Sequence, residues 1–205
     1  MIKKKFDRHR LARSKKGFIK NAYSDSWNYI KDSKAFIFLA IAIFVFTILL
    51  GYLFPILFVD QINSYIHDLV SKTDGLNDIQ LIGFIFFNNT FVAFISILSG
   101  ILLGIIPIIN TAVNGYVIGF VINLAISKSG VISLWSLLPH GMFELPAILI
   151  SLGLGIKIGS FVFRRNKKLT FKYYFLNSLK VFVFVVIPLL IIAAIIEGSL
   201  IALFG

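Results

Sequence analysis

Five apolar runs dominate this chain, and a run longer than about 18 residues has few destinations other than a lipid bilayer. They cover residues 35–54, 81–106, 111–126, 133–156 and 181–203, and the first three carry no charge. Water is absent from the bilayer core, so every backbone N–H and C=O must be bonded within the protein. Only helices and closed barrels meet that demand. The run lengths suit helices of about 20 residues. The expected fold class is an all-α membrane protein, a bundle of about five transmembrane helices with flanking amphipathic interfacial helices. The third run is short, which leaves open a full crossing or a re-entrant segment with the connection at Pro107 to Asn110.

Composition agrees. The chain has 205 residues, of which 58% are hydrophobic, and a mean hydropathy of +0.92. Soluble domains are about half apolar. There is no cysteine, which removes disulfides and cysteine-based metal or redox chemistry. The chain divides into a basic segment, 1–34, and a five-span domain, 35–205. The basic segment has no apolar h-region, so the first run is expected to be an uncleaved anchor.

The formal charge is +11. On a soluble chain this would raise nucleic acid as a partner. Here the cations gather in residues 1–34 and 157–180, flanking the apolar runs, so no nucleic-acid partner is expected. Such stretches mark cytoplasmic segments and attract an anionic inner leaflet. The loop at 56–80 holds Asp60, Asp68, Asp74 and Asp78 against one lysine, Lys72. Five spans place both basic stretches on one side and this loop on the other. The expectation is a multi-pass cell-membrane protein with its N-terminus cytoplasmic and its C-terminus outside. Phe18, Ile19, Ala22, Tyr23, Trp27 and Ile30 recur at helical spacing, which predicts an amphipathic helix on the inner leaflet. Ile62, Tyr65, Ile66 and Leu69 predict a second one in the acidic loop.

Of nine acidic residues, only Glu144 and Glu197 fall inside apolar runs. A charge at mid-bilayer costs about 2.5–3.5 kcal/mol on insertion scales, so such residues turn inward and are candidates for function. At about 1.5 Å per residue, His140 lies about 10 Å and Glu144 about 16 Å below the outer edge, with Asn88 at about 10 Å and Glu197 at about 9 Å. Asn88, Asn89, His140, Glu144 and Glu197 form a candidate polar cluster in the outer half of the bilayer. His140 and Glu144 share a helix face. Pro139 and Gly141 predict a helix break or start beside them. Three uses stay open: a buried network that fixes helix register, a path for a cation, proton or small substrate, and a metal-dependent hydrolase. The last needs three protein ligands, and one histidine with two glutamates is a thin basis. No catalytic residue, metal or other cofactor is expected, and the chain is read as non-enzymatic.

Glycine pairs recur at four-residue spacing in three successive runs: Gly100 and Gly104, Gly115 and Gly119, Gly155 and Gly159. This spacing lets helices approach closely, within one chain or across a homodimer, and the former is the commoner use.

These motifs together resemble the stage II sporulation protein M family. The resemblance covers about residues 36–203. It rests on Asn88-Asn89, Gly100 with Gly104, and Asn114-Gly115-x-x-x-Gly119. Its most specific piece is Pro139-His140-Gly141-x-x-Glu144-Leu145-Pro146-Ala147 with Gly153, Gly155 and Gly159 following, and Ile196-Glu197-Gly198 completes it. The resemblance implies a non-enzymatic polytopic membrane protein. The family's namesake is a scaffold that recruits cell-wall hydrolases and other partners during engulfment of the forespore. Protein partners are therefore expected of this chain.

Overall fold

In the computed structural model the described residues are 17–130 and 134–204, with the side chains at 18, 66, 69, 70, 129, 134–140 and 197–204 outside the description. All secondary structure among them is helical. Helix α1 spans Phe18–Asp32. A single residue, Ser33, separates it from α2, Lys34–Leu53. Helix α3 is Val59–Thr73, α4 is Asp78–Leu98 and α5 is Ile105–Ser129. Helix α6, Leu134–Gly159, tightens into a 3₁₀ turn at Ser160–Phe163. Helix α7, Lys167–Val181, runs through a π turn at Phe182–Val186 into α8, Ile187–Phe204.

Five segments are long and apolar enough to cross a membrane: Lys34–Leu53, Asp78–Ile101, Ile105–Lys128, Gly141–Phe163 and Lys167–Ile196. The protein is a membrane protein with the expected five-span bundle. Helix α2 stops one residue before Pro55, where Phe54 takes a non-helical conformation, because the proline ring disfavours a helical residue ahead of it. Helix α4 starts with a reciprocal cap. The Asn77 side chain accepts from the Gln80 amide at 2.9 Å and Gln80 Oε1 accepts from the Asn77 amide at 3.1 Å, which satisfies two otherwise orphaned donors.

The boundaries differ from the sequence expectation at three places, each for an identifiable reason. The connection between the second and third spans is not at Pro107–Asn110. It is at Leu102–Gly104, where Leu103 (φ 58°) and Gly104 (φ 75°) turn left-handed. Pro107 is the third residue of α5, and a proline fits the first turn because that N–H would lack a partner anyway. The third span thus has 25 residues, about 37 Å, which is long enough for a full crossing. Pro139 does not break the fourth span, since α6 is helical from Leu134 onward. It lies in the second turn, so the missing hydrogen bond falls near the helix start. The basic stretch 157–180 is not an open loop. Lys157 is inside α6, and α7 is helical from Lys167. In the last span Pro188 sits within a continuous rod. The π turn just before it widens the helix where the proline ring would meet the preceding carbonyls.

Helix α6 is central and touches α2, α4, α5, α7 and α8. Every residue from Ser151 to Gly159 is buried. One core joins α1, α4, α6 and the last rod through Tyr29, Ala93, Ile97, Ala147, Leu154 and Val186. A smaller one joins Ala40 of α2 to Leu152 and Ile156 of α6. The α1–Ser33 junction, the Leu102–Gly104 turn and the 164–166 hairpin share one end of the bundle, the basic end. Helix α3 lies at the other, acidic end.

Candidate functional site

Helices α4 and α6 run in the same direction, and glycine brings their backbones into contact. A methyl group on Gly100 would strike the Gly155 carbonyl, one on Gly155 the Ser96 carbonyl, and one on Gly159 the Gly104 amide. These contacts fix the register. Asn89 is eleven residues before Gly100 and Glu144 is eleven before Gly155, so the two stand at about the same height on neighbouring helices, about 16 Å toward the acidic end. Both face inward by sequence position. Asn89 shares a stripe with the fully buried Ala93 and Ile97, and Glu144 lies one turn from fully buried Ala147. Asn88, Asn89 and Glu144 are half-buried. Glu144 Oε2 is shut off from solvent, as is Thr90 Oγ1.

The hydroxyls nearer the basic end do not extend this polar zone across helices. Ser96 Oγ donates to the Val92 carbonyl at 2.7 Å and Ser151 Oγ to the Ala147 carbonyl at 2.9 Å. Each serine thereby satisfies itself on its own helix.

His140 is one helical turn from Glu144 toward the acidic end; its side chain, like those of Pro139 and Glu197, lies outside the description. Gly141 is half-buried and Pro146 exposed. The Phe94 and Phe182 rings meet at 5.3 Å between centroids, which ties α4 to the last rod. Glu197 lies fifteen residues beyond Phe182, whereas Asn89 is only five before Phe94. The backbone at Glu197 is therefore about 15 Å nearer the acidic end than that at Asn89. Among the described residues no group of three His, Asp or Glu is placed to hold a metal ion.

Asn114, Gly115 and Gly119 belong to a different contact, between α5 and α2. Asn114 Nδ2 donates to the Asn110 carbonyl of its own helix at 2.8 Å. A methyl group on Gly115 would meet Thr47 Oγ1 and the Phe44 carbonyl, and one on Gly119 the Ile48 carbonyl. From the facing helix, Gly51 meets the Tyr116 carbonyl in the same way. All three glycine pairs therefore serve close packing inside one chain.

The sequence reading missed Lys157. It counted this lysine among juxtamembrane cations, but Lys157 is only 4% exposed and is the one buried charge among the described residues. Its Nζ donates to Ser33 Oγ at 2.7 Å and to the Asp32 carbonyl at 3.4 Å. It sits 3.8 Å from the centroid of the Tyr29 ring and 5.2 Å from that of Tyr174. The ring faces attract the cation, and the Asp32 carbonyl belongs to the negative end of the α1 dipole. The Tyr29 hydroxyl donates to the Tyr174 carbonyl at 3.2 Å. Burial pushes the Tyr29 phenol well above its ordinary range, against a smaller lowering influence of the nearby Ser178 hydroxyl and with minor raising contributions from Tyr173, Tyr174 and Asp32. It is neutral at physiological pH. The signal available in the sequence was the setting of Lys157 within Ser151-x-Gly153-x-Gly155-x-Lys157-x-Gly159. Small residues on every side mark a helix packed all round.

A family model described as Stage II sporulation protein M matches residues 40–200 of the chain. No curated protein and no solved structure matches.

Proposed function

Since the chain belongs to the stage II sporulation protein M family, we propose that it is a non-enzymatic organiser of partner proteins in the cell envelope. In this reading it sits in the cell membrane with the basic end cytoplasmic and the acidic end outside, as the distribution of lysine and arginine favours. The basic segments rest against an anionic inner leaflet.

One observation carries the reading: each end of the bundle presents a helix with an outward face that the described residues leave exposed. At the basic end Ile19, Tyr23 and Trp27 form an exposed stripe on α1. At the acidic end Asp60, Asn63, His67 and Asp68 are exposed on α3, while Ile62 of the same helix is buried. Helical faces of this kind suit docking of another protein.

A photo-crosslinking residue placed at Trp27 or at His67 in the native membrane tests the reading. Lipid-facing Phe46, also exposed, is the control position. The expected result is a discrete protein adduct from Trp27 or His67 that Phe46 does not give. An adduct of twice the chain mass would identify a second copy as the partner. Lipid adducts alone at all three positions would overturn the proposal.

A further inference from the structure

The seam that holds α1 to the rest of the protein is closed by a small set of identifiable side chains. Its buried face is Ala22, Ser26, Tyr29 and Ser33, and α7 presents Thr170, Tyr174, Ser178 and Val181. Beside these mostly small or polar side chains, Ile30, Phe171, Tyr173 and Phe175 pack half-buried against the core to which Tyr29 and Tyr174 belong. Ser26 Oγ donates to the Ala22 carbonyl at 2.8 Å and Ser33 Oγ to the Tyr29 carbonyl at 2.6 Å. Both hydroxyls thus spend their protons inside α1. Thr170 Oγ1 is buried with no hydrogen-bond partner. Contacts that cross the seam include the bond of Tyr29 with Tyr174, the edge-to-face packing of Tyr29 on Tyr173 and the bonds of Lys157 with Ser33 and the Asp32 carbonyl.

We propose that Lys157 is a cation latch: from α6 it grips the C-terminal end of α1 through Ser33, the Asp32 carbonyl and the Tyr29 ring, and so decides whether α1 is docked or released. The geometry suits the task. Lys157 reaches α1 at the one-residue junction with α2, where a small change in angle swings the far end of α1 through the largest arc. The Tyr29 ring, the Asp32 carbonyl and Ser33 Oγ lie within one turn and a half of chain, so release of this end removes them together. A buried ammonium left without them would be costly, which makes docking two-state rather than graded. While docked, α1 holds Ile19, Tyr23 and Trp27 facing away from α7. Lys157 is thus a positioning residue for that stripe, whichever partner the stripe meets.

Amide hydrogen exchange on the full chain in lipid nanodiscs tests this. In the wild type, amides of α1 are expected to be protected. Lys157→Met should raise exchange across α1 at least tenfold and leave α2 and α5 unchanged. Lys157→Arg, which keeps the charge and the donors, should restore most of the protection. Tyr29→Leu changes only α1 and removes the ring under the cation. It should also raise α1 exchange, with the spans intact. Protection of α1 that survives both Lys157→Met and Tyr29→Leu would overturn the latch. So would a Lys157→Met chain that loosens throughout, while Tyr29→Leu and Ser33→Ala leave α1 protected. General loosening with Lys157→Met together with selective loosening of α1 by Tyr29→Leu would uphold it.

Discussion

Asn123 Nδ2 on α5 donates to the Tyr52 carbonyl in the last turn of α2 at 2.9 Å. Nearby, the Tyr116 hydroxyl donates to the Phe54 carbonyl at 2.5 Å. The last carbonyls of a helix have no partner of their own, and in a membrane water is scarce. Two side chains of α5 therefore cap α2. Asn123→Ala and Tyr116→Phe should each cost about 1 kcal/mol, a fall of about 3 °C in the unfolding midpoint of a chain this size. Thermal unfolding in detergent checks it, and unchanged midpoints in both variants would remove the caps from the account.

Glycine at 155 is required by contact rather than by backbone angle. A methyl group there would strike the Ser96 carbonyl and come within 2.8 Å of Pro107 Cγ. Gly155→Ala should destabilise by at least about 1–3 kcal/mol, the cost of overpacking. Gly83, also helical, has nothing within 4 Å of an added methyl group. There the better helix propensity of alanine should stabilise by about 0.5–1 kcal/mol. Opposite shifts in unfolding midpoint are the expected outcome; equal shifts would contradict it.

Leu103 carries φ 58°, a left-handed conformation that costs a side-chain-bearing residue about 1–2 kcal/mol. Leu103→Asn should recover part of this, up to about 1 kcal/mol, because asparagine tolerates the region better. Leu103→Val should lose stability, since a branched side chain is worse there. A midpoint that rises for valine as for asparagine would show that the angle is not what limits this turn.

Asn89 and Glu144 stand level on α4 and α6. If they act as one polar unit, a double-mutant cycle with Asn89→Ala and Glu144→Gln should give a coupling of about 0.5–1 kcal/mol, since neighbours couple and distant sites add. Strict additivity would separate the two positions and leave Glu144 to another partner.

Much of the architecture was legible in the chain. Residues 35–54 have no charge and end at Pro55, so α2 could be drawn almost to the residue. The apolar runs gave five spans because the bilayer tolerates little else. The boundaries moved where proline was involved. At Pro107 and Pro139 the sequence offers a stop signal, but a proline near the start of a helix does no harm, and only the path of the chain shows which case applies. The amphipathic pattern of α1 was also visible, but it split. Ala22 and Ile30 turn inward against the bundle, while Ile19, Tyr23 and Trp27 stay exposed. A helical wheel places residues around an axis and cannot tell which side meets a neighbour.

Sequence alone determined that this protein crosses a membrane five times, which end is basic, and which few polar residues lie within the spans. Those are properties of composition along a line, and the bilayer converts them directly into structure because unpaired backbone and charge are so costly in lipid. Tertiary structure decided how the glycine pairs are used, that Asn123 caps a distant helix, that Asn89 stands level with Glu144, and that Lys157 is a buried cation rather than a surface one. Each of these depends on which helix lies beside which, and at what height. Contacts between residues far apart in the chain leave no periodic trace in the sequence that forms them.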